Sequence, residues 1–183
     1  MRRSRFKGLV AAGLTVAGIG ASTISAIASS DMFLKITNVQ GESSADKHKG
    51  EIDVLAWSWG TSNGGAVTKK GVVPAVCVQD LSLTKWIDSA SPTLIAMGIV
   101  GQTSPTAVLT VRRAGEGQDE YLKLTMTNVS ISSYSTGGSG GEDRLTEQIT
   151  LHFDSMQGSY TPQGPDGKPG TAIPFSVSGN YCR

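Results

Sequence analysis

Tyr134–Phe153 reads YSTGGSGGEDRLTEQITLHF, and the meaning of its middle decides the fold. Gly137-Gly138-Ser139-Gly140-Gly141 formally satisfies G-x-S-x-G, the pattern of a hydrolase serine held on a strained turn between a strand and a helix. The conformation of the residues after the glycines therefore separates a reactive serine from a bend. RLTEQITLHF fits a helix through Leu145, Ile149 and Phe153, and a strand through Ile149, Leu151 and Phe153. The β-branched Thr146, Ile149 and Thr150 favour the strand. With strands on both sides, residues 137–141 are a hairpin loop, and Ser139 is not placed to attack anything. A phosphate cradle also fails, because Glu142 and Asp143 stand where a Lys and a Ser or Thr would be needed.

Strand patterning continues on both sides of that loop. DMFLKIT (31–37) alternates Met32, Leu34 and Ile36 against polar residues, with Phe33 as the exception. Residues 39–50 are polar and without period, so they read as a surface loop. EIDVLAWSWG follows as a strand whose face Leu55, Trp57 and Trp59 puts two indoles in the core, with Ser58, Ala56 and Val54 on the reverse. Residues 61–75 (TSNGGAVTKKGVVPA) have the composition of a long exposed loop. VCVQDLSLTKW, TAVLTVRRAG and EYLKLTMTNVSIS read as strands, the last with a bulge near Thr127 or Asn128 where the apolar parity slips. SPTLIAMG (91–98) reads as the one short helix, capped by Ser91 and ended by Gly98. The sum is a mainly β domain.

Residues 1–28 are set apart from it. Arg2, Arg3, Arg5 and Lys7 precede an uncharged stretch ending in Ala26-Ile27-Ala28, which is the pattern of a cleavable signal peptide; residues 29–183 are then the mature domain, ending in a tail over 164–183. A membrane anchor fits less well, since glycines and hydroxyls dilute the apolar stretch, and no membrane is expected after cleavage. Translation from Met32 would instead give a cytoplasmic chain. Removing the four basic leader residues leaves twelve basic against fifteen acidic, a net charge of −3, which argues against nucleic acid. Cys77 and Cys182 form a disulfide in an oxidising compartment or remain two separate thiols.

The search for chemistry yields no catalytic set, metal site or cofactor site. His48 and His152 are read as surface residues far from any ligand cluster, and Glu142-Asp143 as turn polarity. The segments DMFLKITNVQGES, EIDVLAWSWG, VQDLSLTKWID, SPTL, LTVRRAG, YLKLTMTNVSISSYSTGGSGGEDRLTEQITLHF and Y-x-P-Q resemble, in order and spacing, the haemolysin-coregulated protein family, Hcp. The resemblance covers Asp31 to about Gln163. It implies a two-sheet β-barrel or sandwich with one helix on its side, and a homohexameric ring. In type VI secretion such rings stack into a tube beneath a spike and inside a sheath, and carry effectors. On this likeness Ser58 is a candidate lumen residue, and Lys69, Lys70, Val72 and Val73 lie in the loop that reaches an adjacent ring. The leader departs from the family pattern and implies a periplasmic or secreted destination. Two functions are then open: a ring-forming structural protein, or an exported monomeric binding module that no longer forms a tube. An enzyme is disfavoured.

Overall fold

The computed structural model describes residues 30–69, 71–73, 75–114, 117–141 and 143–178. The leader at 1–28 therefore lies outside the described residues. Eight strands form one antiparallel sheet in the order β10 (Thr146–His152), β7 (Leu81–Trp86), β2 (Ile52–Ser58), β1 (Ser30–Ile36), β8 (Thr103–Arg113), β9 (Glu120–Gly137), β11 (Ser155–Tyr160) and β12 (Ile173–Ser178). A further β9–β10 pairing closes six of them into a barrel. Closure needs β9 to serve two partners on one edge. Its first half pairs with β11 and its second with β10. Asn128 marks the changeover with φ 51°, and its side chain donates to Asp154 Oδ2 at 2.7 Å. This is the irregularity that the slip in parity announces, although the register itself shifts further on, opposite Thr150/Leu151.

The hairpin reading of residues 137–141 holds. Thr146 pairs with Gly137, β10 is a strand, and Gly141 takes φ 116°, which side chains avoid. Alternate residues of each strand point inward and make one core, including Leu34, Leu109, Leu124, Ile149, Leu151 and Phe153. Each such side chain contributes about 1.5–3 kcal/mol by leaving water.

Strand β2 corrects the sequence reading. Ile52 and Val54 are buried, Leu55 is 38% exposed, and Trp57 and Trp59 are half-buried against the core cluster rather than enclosed in it. The cause is a register shift between Val54 and Ala56. One extra residue flips the phase, so Val54 and Trp57 share a side that strict alternation would deny them.

The helix α1 (Ser91–Val100) packs on β9 and adds Leu94 and Met97 to the core. Ser91 is not its side-chain cap. Instead Asp88 Oδ1 accepts the Ala90 N–H at 2.9 Å while Ser91 Oγ accepts the Asp88 N–H at 3.0 Å, a reciprocal bracket just before the first turn. Gly101 rather than Gly98 ends the helix, its N–H bonding to Met97 O.

Two segments read as irregular carry strands. The long loop at 61–75 carries nested two-stranded ladders, β4 (Ala66–Thr68) with β5 (Gly71–Val73) inside β3 (Thr61–Asn63) with β6 (Val76–Val78), the last just beyond it. The C-terminal tail contains β12, whose Phe175 ring occupies the space over Gly158 where a side chain would stand.

Candidate functional site

Strand register builds the candidate surface. Ser58 pairs with Ser82, Ser82 with Thr150, and Thr150 with Ser133, so one row of four hydroxyls crosses β2, β7, β10 and β9 on the outer face. The row beside it runs Ala56, Thr84, Gln148 and Ser135. Ser82 Oγ and Thr150 Oγ1 lie 3.3 Å apart. A shallow groove of about 290 Å³ runs along these rows, and none of its lining residues is charged. Sequence periodicity identified Ser58 as outward, but the neighbours that make it part of a surface come from pairings far apart in the chain.

Behind that wall lies a polar network the sequence reading missed. Lys85 and Glu147 face each other across β7 and β10 on the inward side, both essentially inaccessible to solvent. Lys85 Nζ shares its three protons among four oxygens, Glu147 Oε1 at 2.7 Å, Asp88 Oδ1 at 2.7 Å, Trp86 O at 2.7 Å and Ser91 Oγ at 3.2 Å. Ser91 Oγ and Tyr134 OH in turn donate to the two oxygens of Glu147, at 3.0 and 2.5 Å. Burial, and then the hydrogen bond to Glu147, push the Tyr134 phenol up from its ordinary value. The network ties β7, β9, β10 and the start of α1 into one unit. Its ammonium is held by two carboxylates, a hydroxyl and a backbone carbonyl. A signal was present: LSLTKW and TEQITLH each place an opposite charge at an inward position of a strand.

The other predicted residues disperse. Ser139 and its glycines sit in an exposed loop with no histidine beside them. Lys69 is exposed at the arm, Val72 and Val73 form β5, and Lys70 lies outside the described residues. Cys77 is half-buried on β6 and is not a free thiol; Cys182 lies outside the described residues. His152 is half-exposed, with Nδ1 2.9 Å from Asp80 Oδ1, and Ser132 Oγ donates to the other Asp80 oxygen at 2.7 Å. The serine thus bonds the carboxylate and not the histidine, which is the wrong order for a nucleophile relay. His48 is corrected: it is 4% exposed, because residues 39–50 fold back over β1 and β8 instead of standing in solvent. Phe33, the exception to alternation, is the residue it covers.

No group of three or more potential metal ligands occurs among the described residues, and none of their helices is long and apolar enough to cross a membrane. The geometry defines a β-barrel scaffold, with a buried Lys85–Glu147–Asp88 network inside and a row of neutral hydroxyls on the wall outside it. Comparison with known proteins gives that class its family. The family model described as type VI secretion system effector, Hcp, matches residues 33–160. The chain is similar to protein hcp1 of Pseudomonas aeruginosa, 54% identical over 140 residues that cover 75% of this chain and 86% of the relative. Among solved structures it resembles a type six secretion system protein, with TM-score 0.76 and 32% identity over 82% of this chain and 96% of that one. It also resembles Hcp1 from Salmonella typhimurium, with TM-score 0.69 and 34% identity over 81% and 94%. The chain belongs to the Hcp family of type VI secretion proteins.

Proposed function

We propose that the chain is a non-enzymatic, ring-forming subunit of type VI secretion that assembles with itself as a homohexamer. The rows headed by Ser58 face the lumen, and the arm at 61–75 contacts the adjoining ring. The observation that carries this reading is the registered, uncharged hydroxyl wall on four neighbouring strands. A channel wall that must pass cargo works best with many weak neutral contacts, since fixed charges would hold or repel particular cargo. The arm supports the same reading. Its outer ladder is exposed at Thr61, Ser62, Asn63 and Val76, which suits contact with a neighbour. A closed ring reuses one pair of complementary patches on every subunit.

Residues 1–28 serve as a cleavable leader and residues 29–183 as the barrel domain, giving a periplasmic or secreted protein whose disulfide would join Cys77 to Cys182. Spike, sheath and effector proteins are the further partners. Static light scattering on purified residues 29–183 tests the ring: six subunits are expected, and a strict monomer at high concentration would overturn the proposal. Mass spectrometry of the N-terminus tests the leader. Ser29 as the first residue supports it, and an unprocessed Met1 or a start at Met32 rejects it.

A further inference from the structure

Two elements of the fold are held more weakly than the barrel, and strand register brings them to the same end of it. The first is the arm. Its outer ladder, β3 with β6, is a sheet of its own, separate from the eight-stranded one. Gly64 N–H bonds Ala75 O at 3.2 Å, and Gln79 N–H bonds Gly60 O at 3.0 Å. Asn63 Oδ1 accepts the N–H groups of Gly65 and Ala75 at 3.0 and 3.2 Å. These bonds tie the arm to itself. The second element is β12, an edge strand paired with β11 and exposed along its length except at Val177. Segments with so few buried side chains open locally at low cost.

Cys77 lies in the outer ladder opposite Ser62, half-buried and not a free thiol. The chain has one other cysteine, Cys182. Three residues after Cys77, Asp80 Oδ1 is 2.9 Å from His152 Nδ1 and Asp80 Oδ2 accepts from Ser132 Oγ at 2.7 Å. Three residues after His152, Ser155 pairs with Ser178, the final residue of β12. The root of the arm and the end of β12 therefore meet at one rim of the barrel, beside β9 and β10. Cys182 follows Ser178 by four residues, a reach of up to about 14 Å. A covalent link between cysteines so placed joins the two weak elements directly, and neither then opens without drawing on the other.

We propose that the disulfide is a redox-released strap that fastens the root of the arm to the end of β12, a role that rests on the Cys77–Cys182 bond proposed above. Release is thiol–disulfide exchange. One thiolate of a dithiol reductant attacks a sulfur of the bond, forming a mixed disulfide and freeing one cysteine; its second thiolate then displaces the other. Two electrons and two protons pass to the protein, which is left with two thiols, and the reductant departs as a disulfide. The arm is thus fixed in an oxidising compartment and loose in a reducing one. Its contact with an adjoining ring becomes a property of location.

Hydrogen exchange on the full chain, with and without a dithiol reductant, tests the strap, and peptide mapping of the same samples without reduction tests the bond. The unreduced map should contain a peptide pair joined through Cys77 and Cys182. Reduction should speed exchange at residues 61–64, 75–79 and 173–178 at least about tenfold, while β1 and β8 stay protected. Cys182→Ser should exchange at the faster rate from the outset and ignore the reductant. A map lacking the joined pair overturns the bond and the strap together. A joined pair whose reduction leaves arm exchange unchanged overturns the strap and spares the bond. Equal loss of protection in the arm and in β1 and β8 also overturns the strap, because the bond would then act only by restricting the unfolded chain.

Discussion

The inner side of the β7–β10 wall and the arm at 61–78 are built on opposite principles. Lys85, Glu147, Ser91 and Tyr134 satisfy one another inside the barrel, with core side chains packed around them. Along the arm, Thr61, Ser62, Asn63, Ala66, Thr68 and Val76 are exposed, and Val78 at its root is the buried exception among the side chains described there. A segment that buries so little gains almost nothing from its own folding beyond its hairpin hydrogen bonds. On the proposed assembly, the residues that make the fold and those that would make ring contacts are different residues, which mutation can separate.

The sharpest break comes from inside. Glu147→Ala leaves the Lys85 ammonium buried with half its support, and is expected to cost about 3–5 kcal/mol in urea unfolding. Replacing both partners, Lys85→Met with Glu147→Leu, should recover only a small part of that loss, because the nearly buried Asp88 carboxylate then loses its ammonium. Tyr134→Phe is milder, removing one hydrogen bond to a carboxylate worth about 1.5–3 kcal/mol. Its pH dependence has a definite sign. The folded phenol ionises above the unfolded one, so the stabilisation by Tyr134 is complete below the unfolded value of about 10 and is lost as pH rises above it. The gap between native and Tyr134→Phe protein should therefore narrow above about pH 10 in alkaline unfolding curves. Smallest of all is Ser58→Asp, on the exposed wall. Its unfolding free energy should stay within about 0.5 kcal/mol of the native value. If six-membered rings form, six new charges would meet in one lumen, and the variant should show a steeper dependence of assembly on salt.

Much of this was legible from the sequence, and the failures have physical causes. Period-two alternation placed β1, β8, β9 and β10, and the β-branched residues after Gly141 settled the hairpin. A single extra residue at Leu55 defeated the same rule in β2, because alternation carries no record of a bulge. Lys85 and Glu147 were passed over because charge is normally a sign of exposure, and only strand pairing reveals that each supplies the other's counter-charge. His48 looked solvated because its polar loop conceals a fold-back over Phe33 that local composition does not encode. The arm and β12 are short, glycine-rich or proline-containing strands, whose pairing depends on partners and not on propensity.

The separation of fold from assembly is tested most directly on the chain lacking 66–73, by measuring sedimentation together with its melting curve. The account predicts an unchanged melting temperature and single six-membered rings that no longer stack. A clearly lowered melting temperature accompanied by dissociation to monomers would contradict it.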